Sequence, residues 1–587
     1  MNRRLSLVGA GVALALAACQ SGAPSGAKPP VAPSQTPSQT PSAAPPAPGP
    51  TLAFSDATAA SGLKFSQFSG RSGRRYYLEP HAGGCAAFDA DGDGLTDLYA
   101  VDGGPLPGYD GPLRRSNRLF HNKGDGTFED VTTHAGVAGK GYGFGAFPAD
   151  YDGDGDEDLL VTNYGNVELF RNKGDGTFED VTKTSGLKTP GWTTGAAFFD
   201  ADGDGDLDLY VVHYVQYDVA SARGCWRRGQ RNHCTPYDFT PEQDQLFENR
   251  GDGTFRDVTA TAGLVTPNTT GNGNGLGAVV YDFDQDGHPD VYVANDESPK
   301  LFYHGQGGLR FEEIGMRIGA ATSGDGAMQA GMGIDAGDVD GDGRPDLVVS
   351  NFQDEGINDF RQIAPLMFED RGARSGLSHS AVLSLGFSVL LFDADLDGDR
   401  DVYVATGHVW DNIAETQPGV TYAQRDLLGQ NDGHGNFTDV GATAGPPFQQ
   451  ETVSRGACLL DADNDGDQDL FVVHLDGPAT LLKNVTPRGD RHALGLQFSS
   501  PGKNHQALGA RVTVRAGGLT QMLQNWRVRG YLSTSERTMR LGLGTAAKAD
   551  AVEVVFPGGK TVTVNDLAGD RVYVIDEATG QATPLGK

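Results

Sequence analysis

The residues of this chain best suited to chemistry are aspartates, which recur in seven short loops of the form D-x-D-x-D-G-x-x-D. In the first loop, which begins at Asp89, carboxylates stand at positions 1, 3, 5 and 9 and a glycine stands at position 6. Ca²⁺ binds roughly six to eight oxygens, alternate residues of a tight loop point inward, and glycine permits the sharp bend. Each loop is therefore predicted to bind one Ca²⁺ through these four carboxylates and the backbone carbonyl at position 7.

The predicted ligands occupy the same positions in every loop, and a residue without a carboxylate at position 7 contributes only its carbonyl oxygen. One such loop alone would be an ordinary solvated turn, but seven define both the fold and the chemistry. The residues at positions 1, 3, 5, 7 and 9 are Asp89, Asp91, Asp93, Leu95 and Asp97; Asp150, Asp152, Asp154, Asp156 and Asp158; Asp200, Asp202, Asp204, Asp206 and Asp208; Asp282, Asp284, Asp286, His288 and Asp290; Asp338, Asp340, Asp342, Arg344 and Asp346; Asp393, Asp395, Asp397, Asp399 and Asp401; and Asp461, Asp463, Asp465, Asp467 and Asp469.

The sequence around each loop predicts four β-strands, here called A to D. A Gly/Ala-rich apolar run such as 195–199 precedes the Asp loop, and a β-branched run such as 209–212 follows it. An L-F-x-N element and a G-D-G turn come next, as at 169–172 and 174–176. Short β-type runs broken by such turns are typical of hairpins, and no stretch has a sustained helical period. Repeated four-stranded units predict an all-β chain, a seven-bladed β-propeller followed by a small C-terminal β-domain.

The two ends of the repeat predict a closed ring. The last unit has its Asp loop at Asp461 and its strand C at 481–484, but no strand D follows. The segment 54–58 matches the missing strand D and has no blade of its own. Pairing it with the last unit would leave no open sheet edge, whereas the alternative is an open solenoid.

The repeats resemble the FG-GAP/VCBS repeats of integrin α-subunit propellers and of secreted bacterial proteins. The C-terminal part resembles the ASPIC/UnbV domain through G-A-R-V at 509–512, G-Y-L-S at 530–533, L-G-L-G at 541–544 and V-E-V-V-F-P-G-G at 552–559. This pairing is similar to bacterial proteins of the cartilage acidic protein type, and it implies the propeller fold and the metal without implying an activity. Blade five departs from the pattern, since Leu366, Met367 and Phe368 replace the L-F-x-N element and the G-D-G turn.

The N-terminus predicts export. Arg3 and Arg4 precede an apolar run over 5–18, which is too short to cross a bilayer and is typical of a signal peptide. The L-A-A-C ending resembles a bacterial lipobox, which implies lipidation of Cys19, and Gln20 after it favours the outer membrane; an ordinary signal peptide is the alternative. A Pro/Ser-rich stretch follows and predicts a disordered tether. The predicted divisions are 1–18 signal peptide, 19–50 lipidated cysteine and tether, 51–486 propeller and 487–587 C-terminal domain.

Charge and cysteine usage fit an exported protein. The net charge is −31, with 77 acidic and 46 basic residues, and such a surface does not favour nucleic acid as a partner. Cys225 and Cys234 are predicted to form a local disulfide across a basic loop, with free thiols as the alternative. Cys85 and Cys458 are expected to be buried free thiols whose side chains face opposite ways.

Strand alternation places all Asp loops and G-D-G turns on one face, and the long connections 102–116, 214–243, 351–365 and 406–425 on the other. Because function concentrates on such loops, Trp226, Arg227, Arg228 and His233 are predicted ligand contacts, although solvated decoration is the alternative. No hydrolase or P-loop motif occurs. The chain is predicted to be a calcium-stabilised, lipid-anchored module that binds a protein or glycan; the alternatives are a carbohydrate-active envelope enzyme and an assembly factor for envelope proteins.

Overall fold

The structure is a computed structural model that describes residues 51–112, 116–227, 229–264 and 273–585. Within these ranges, residues 54–484 form seven four-stranded antiparallel sheets. Numbered as blades one to seven, with strands in the order A to D, they are Cys85–Phe88, Asp97–Ala100, Arg118–Asn122 and Phe128–Asp130; Tyr142–Ala149, Asp158–Tyr164, Glu168–Asn172 and Phe178–Asp180; Thr193–Phe199, Asp208–His213, Gln245–Asn249 and Phe255–Asp257; Gly275–Tyr281, Asp290–Asn295, Leu301–Gly305 and Phe311–Glu313; Ile334–Gly337, Asp346–Val349, Asn358–Ala364 and Met367–Asp370; Gly386–Phe392, Asp401–Thr406, Leu427–Asn431 and Phe437–Asp439; and Ser454–Leu460, Asp469–His474, Thr480–Asn484 and Phe54–Asp56.

The sheets form a closed propeller. Strand A of each blade contacts strand A of the next, and strand A of blade one contacts strand A of blade seven. Phe54 pairs with Asn484 and Asp56 with Leu482, so the N-terminal strand supplies strand D of blade seven. The predictions of an all-β propeller and of its closure by the N-terminal strand are confirmed.

The asparagine of the L-F-x-N element connects neighbouring blades. The Asn122 side-chain amide donates to the carbonyl of Thr96 in its own Asp loop at 3.0 Å and to that of Ala462 in blade seven at 3.1 Å. Asn172 repeats this link between blades two and one, with the Ala90 carbonyl as its acceptor. A short amide side chain at the end of strand C therefore satisfies buried carbonyls of two blades at once.

The few helices are single turns or little more. The helical turns are Thr58–Ser61, Thr132–Ala135, Gly315–Ile318, Leu377–Ala381 and Ile413–Thr416, with 3₁₀ turns at Val219–Ser221, Pro236–Asp238 and Pro446–Gln449. Two short strand pairs join Cys225–Arg227 to Gln230–Asn232 and Gln424–Arg425 to Glu451–Thr452. Blade five corrects one expectation: half of the predicted long connection 351–365 is strand C, and a tight turn at Leu366, with φ 50°, replaces the G-D-G hairpin.

The C-terminal domain is a sandwich of two four-stranded sheets around its own apolar core. One sheet contains Ala493–Ser499, Met539–Gly542, Arg571–Asp576 and Ala582–Pro584; the other contains Arg511–Ala516, Leu519–Gln524, Lys548–Val555 and Thr561–Ala568. Between its strands, residues 525–536 leave the sandwich and enter the propeller; we call them the plug segment. Val514 and Val552 illustrate the alternation of buried and exposed residues that builds this core.

Candidate functional site

Each Asp loop is folded by its own first and last carboxylates. The Asp89 side chain accepts the backbone N–H groups of Gly92 at 2.9 Å and Gly94 at 3.0 Å. Asp97, at position 9, accepts the N–H groups of Ala90 at 3.1 Å and Asn122 at 2.7 Å. The carboxylates at positions 1 and 9 thus hold the loop closed through backbone N–H groups.

The loops fit a hard divalent cation. Ligand atoms of Asp89, Asp91 and Asp93 lie within 4.8 Å of one another, and those of Asp150, Asp152 and Asp158 do so in the second loop. The Oδ1 atoms at position 3 of four loops are buried and have no hydrogen-bond partner; they belong to Asp152, Asp340, Asp395 and Asp463. Buried, unpartnered carboxylate oxygens that converge on one point are the donor set that Ca²⁺ takes. The residues of the loops could therefore hold calcium, which stays a prediction.

Crowding and burial disfavour the charged form of these carboxyls. Burial raises the pKa of Asp97 to about 8, of Asp158 to about 9 and of Asp208 to about 8. Burial and the nearby Glu157 raise the pKa of Asp89 to about 6. A bound cation favours the ionised form of a carboxyl group, so it would offset the cost of ionising these buried carboxyls.

The seven loops are not equivalent, because the variable residue of L-F-x-N lies beside each one. Its identities in blades one to seven are His121, Arg171, Glu248, His304, Arg361, Gln430 and Lys483.

Blades one, three and seven show how the charge of this neighbouring residue differs from loop to loop. Lys483 contacts Asp463 and lies 3.2 Å from Asp465, so the lysine of blade seven places a positive charge beside that loop. In blade one, His121 lies 3.1 Å from Asp91. Glu248 in blade three adds a carboxylate instead; burial raises the pKa of Asp202, and Asp204 and Glu248 add to the shift. Loop seven is therefore partly neutralised by its own blade, whereas loop three is not.

The C-terminal domain packs against the face that carries the Asp loops. Lys503 lies 2.7 Å from Asp206, Arg511 lies 3.0 Å from Asp282, and Arg540 lies 3.1 Å from Asp461. Basic side chains of one domain thus meet acidic loops of the other. The sequence analysis did not predict this docking, although the basic residues stand next to the motifs that identify the C-terminal domain.

The plug segment fills the centre of the propeller. Gly530 forms a β-bridge with Ile334 of blade five, and Thr534 forms one with Ala86 of blade one. Tyr531 is fully buried, and its hydroxyl donates to the carbonyl of His81 at 3.0 Å. Gly84 allows this approach, since a Cβ there would lie 2.1 Å from the carbonyl oxygen of Leu532. The backbone of the plug segment therefore occupies the centre of the channel, beside the strands A of blades one and five.

The opposite face, which we call the long-loop face, carries the disulfide-linked insertion. Cys225 and Cys234 are joined, with Cα atoms 5.1 Å apart. Trp226 is 68% exposed, as expected for a ligand contact. His233 is not: it is buried and its Nε2 lies 3.2 Å from Glu79, so its selection as a surface contact is wrong. The spacing of residues in a loop sequence does not show which side chains will be buried.

Some of the remaining predicted residues fall partly or wholly outside the part of the chain that the structure describes. Arg228 lies outside the described residues, as do Cys19 and the predicted signal peptide and tether, and Arg227 is described by its backbone alone, at the end of the strand Cys225–Arg227. Cys85 and Cys458 are free and buried as expected, but they do not face opposite ways, since both thiols lie in one cluster and interact.

A buried polar group on the long-loop face was missed by the sequence analysis. The hydroxyls of Tyr77 and Tyr214 are 2.5 Å apart, and Tyr214 also donates to Asp296. Burial raises the pKa of Asp296 to about 8 and lowers that of Lys300, also buried, to about 8. Tyr214 and Asp296 each follow directly after a strand B, and this equivalent position was the signal available in the sequence.

Comparisons with known proteins agree with this architecture. A model described as FG-GAP-like repeat matches residues 89–161, 150–211, 234–293 and 282–349, and one described as ASPIC and UnbV matches residues 500–582. Human cartilage acidic protein 1 is 25% identical over 356 residues, which cover 58% of this chain and 48% of that protein. The Xenopus tropicalis protein of the same name is 32% identical over 348 residues, 57% of this chain and 50% of that protein. The chain thus matches about half the length of these relatives.

Two solved structures match this chain weakly. A lectin of Agrocybe aegerita that recognises non-reducing terminal N-acetylglucosamine has a TM-score of 0.38 and 17% identity, over 72% of this chain and 88% of that one. YCF48 bound to D1 peptide has a TM-score of 0.37 and 8% identity, over 71% and 94%. Among the described residues, no helix has the length and apolarity needed to cross a bilayer. The repeats and the C-terminal domain show that the chain is an FG-GAP-repeat protein with an ASPIC and UnbV domain.

Proposed function

We propose that this protein is an exported binding module, stabilised by calcium, that recognises a protein or glycan through its long-loop face. One observation carries the proposal: the two other surfaces where a propeller commonly binds are already occupied. The Asp-loop face contacts the C-terminal domain, and the plug segment fills the channel. The long-loop face remains open to a partner.

The exposed aromatic residues of that face supply the contact. Trp226 is 68% exposed and Tyr237 is 71% exposed, and both lie in the insertion of blade three that the disulfide constrains. Tyr237 donates to Glu297 of blade four at 2.9 Å, so the insertion is anchored to the next blade. Aromatic side chains on a constrained loop bind with a small loss of conformational entropy and are frequent interface anchors.

Calcium enters the proposal as a structural ion. The Asp loops lie between the blades and the C-terminal domain, where a bound ion would neutralise carboxylates that burial holds close together. Its chemistry there is charge neutralisation and oxygen coordination. Because the C-terminal domain contacts these loops, calcium is proposed to maintain the scaffold and not to contact the ligand.

Attachment to the outer membrane through Cys19 is proposed from the N-terminal sequence. A Cys19→Ser variant would test it: the wild-type chain should sediment with membranes, and the variant should be soluble after export. A variant that still sediments with membranes would contradict lipid attachment. This outcome would leave the binding proposal untouched, since that proposal concerns the folded propeller.

The binding test uses the soluble Cys19→Ser chain in a buffer that contains calcium. It is applied to an array of defined neutral and acidic glycans and to purified cell-surface proteins. A Trp226→Ala/Tyr237→Ala variant should lose binding to whichever probe the wild-type chain selects, and its melting temperature should not change. Met367→Ala is the matched control, because Met367 is 53% exposed but lies on the hairpin of blade five at the Asp-loop side. Equal binding by the double variant and the wild-type chain would refute the assignment of this surface.

A further inference from the structure

The variable residue of the L-F-x-N element contacts the Asp loop of its own blade. In blade five, the Arg361 guanidinium lies 3.4 Å from Asp340, and in blade six the Gln430 amide donates to Asp395 at 3.0 Å. The lysine of blade seven makes the equivalent contact. Each of these carboxylates stands at position 3 of its loop. The fold therefore directs this side chain toward the predicted metal ligands, and its chemical identity decides what it contributes there.

Blade one places a histidine at this position. The Nδ1 atom of His121 lies 3.1 Å from Oδ2 of Asp91, at position 3, and 3.3 Å from Oδ1 of Asp97, at position 9. The ligand atoms of these three residues all lie within 4.8 Å of one another. Nδ1 is buried, but it forms no hydrogen bond with any residue that the structure describes. One ring nitrogen and two carboxylate oxygens therefore converge at the edge of loop one.

The separations between these atoms match those between two ligands of one small cation. Zn²⁺ binds imidazole nitrogen and carboxylate oxygen at about 2.0–2.2 Å, so two ligands at a tetrahedral angle lie roughly 3.3–3.5 Å apart. The two distances from His121, 3.1 and 3.3 Å, are close to this value. Oδ1 of Asp97 also accepts the N–H of Asn122 at 2.7 Å, and its second lone pair is free to bind a cation.

The imidazole changes which cation the loop prefers. Ca²⁺ takes oxygen ligands, whereas imidazole nitrogen suits borderline cations such as Zn²⁺, Ni²⁺ and Cu²⁺. The side chains of His121 and Asp91 are 27% and 33% exposed, so an ion can reach the site from solvent and water can complete its coordination. A loop with this nitrogen ligand is therefore expected to favour a borderline cation over calcium.

Blade four also has a histidine at this position, but its ring is held differently. The ligand atoms of Asp284, Asp290 and His304 form a similar cluster. Nδ1 of His304, however, hydrogen-bonds with Asp290 at 2.9 Å, and its Nε2 lies 4.0 Å from Asp284. The nitrogen that faces position 9 is thus engaged by a carboxylate in blade four and not in blade one. His304 is therefore the natural comparison for His121.

We propose that the Asp loop of blade one is a site for a divalent transition metal, with Zn²⁺ as the expected ion, bound by His121, Asp91 and Asp97. The inference rests on the proposed role of the Asp loops as cation sites, and it assigns a different cation to one of them. Asp91 and Asp97 are also predicted calcium ligands, so zinc and calcium exclude one another in this loop. The other loops keep their predicted preference for calcium.

Isothermal titration with Zn²⁺ tests the proposal on the soluble Cys19→Ser chain, made without a histidine tag. The buffer contains about 1 mM Ca²⁺, the upper end of the range at which extracellular calcium modules bind. We expect one tight zinc site per chain. His121→Gln should weaken it by about 10-fold or more, since loss of even an outer-shell partner of a metal ligand costs about 10- to 100-fold in affinity.

The variants are chosen to preserve the fold. Glutamine stands at the same position in blade six, so His121→Gln should melt at the wild-type temperature in calcium. His304→Gln, at the equivalent position of blade four, and His134→Gln, an exposed histidine of blade one, are the matched controls. Both should bind the tight zinc as the wild-type chain does.

Two further measurements keep the test decisive. Crystals grown with zinc should show an anomalous peak about 2.0–2.1 Å from Nδ1 of His121, which requires no variant to fold. More calcium should weaken zinc binding, because both ions use Asp91 and Asp97. The proposal fails if no tight zinc site is found, if calcium does not compete, if the peak lies elsewhere, or if His304→Gln weakens binding as much as His121→Gln. A melting temperature that still rises with calcium would then show that the calcium proposal survives this failure.

Discussion

Replacement of Phe54 by alanine should open blade seven locally. Phe54 is 2% exposed and packs against Phe448 and Phe392, with ring centroids 5.6 and 6.3 Å away. Its backbone N–H donates to the Ala444 carbonyl at 2.7 Å. Truncation of a buried phenylalanine costs about 3–5 kcal/mol, the sum of lost burial and the cavity left behind. Because the strand is joined covalently to the ring only at one end, this cost should appear first as detachment of residues 54–56.

Hydrogen exchange measured by mass spectrometry on the segment 480–484 reports this detachment, since Lys483 pairs with Ser55 and the Leu481 N–H donates to the Thr58 hydroxyl. A loss of 3–5 kcal/mol corresponds to exchange that is faster by roughly 10²- to 5 × 10³-fold, when opening is in rapid equilibrium. The matched control is Ser55→Ala, because Ser55 is exposed on the same strand and should change stability by less than about 0.5 kcal/mol. Unchanged exchange at 480–484 in the Phe54 variant, or an equal effect of both variants, would refute the closure of the ring by this strand.

Three further predictions concern the metal, the plug segment and pH. Excess EDTA should lower the melting temperature markedly if the loops bind calcium at the roughly 10⁻⁴ to 10⁻³ M typical of extracellular modules, and an unchanged melt would contradict the structural role of calcium. Tyr531→Phe should lower the free energy of unfolding by about 1–3 kcal/mol, measured by denaturant titration, because the buried His81 carbonyl loses its donor; no loss would mean that water replaces the hydroxyl. The pKa of Asp296 is raised to about 8 in the folded state, so its contribution to stability is present below pH 4 and is lost as pH rises toward 8. The free energy of unfolding of Asp296→Asn should therefore rise, relative to that of the wild-type chain, by up to about 1.4 kcal/mol for each pH unit between these limits. If the free energies of the two proteins change in parallel with pH, the raised pKa of Asp296 is refuted.

The repeat made much of the propeller predictable. The Asp-loop spacing, the run before it and the L-F-x-N element are local signals, and each recurs often enough to define strands A to D. The closing strand was also predictable, because residues 54–58 match a strand that the last unit lacks. Blade five was harder, since its hairpin at Leu366 has no glycine and its strand C lies in a segment that resembles a loop.

The domain arrangement was not predictable, because it depends on surfaces that the fold must first assemble. Arg511 and Asp282 are more than 200 residues apart in the chain, and no local pattern joins them. The segment G-Y-L-S at 530–533 was recognised as a motif, but its place in the channel follows from the width of the ring and from small residues such as Gly84. His233 failed for a related reason: the partner that draws it inward, Glu79, comes from a distant part of the chain.

The position of the Asp loops at a domain interface changes what a metal there would do. On a free face, calcium would stiffen each blade separately. Here the carboxylates of Asp282 and Asp461, both at position 1, also contact Arg511 and Arg540 of the C-terminal domain, so a cation and the domain would meet on the same carboxylate groups. A cation in loop one meets less of this competition, because among the described residues no basic side chain of the C-terminal domain lies within ion-pair distance of Asp89 or Asp97. Calcium bound at this interface would therefore affect the docking of the C-terminal domain as well as the stability of single blades.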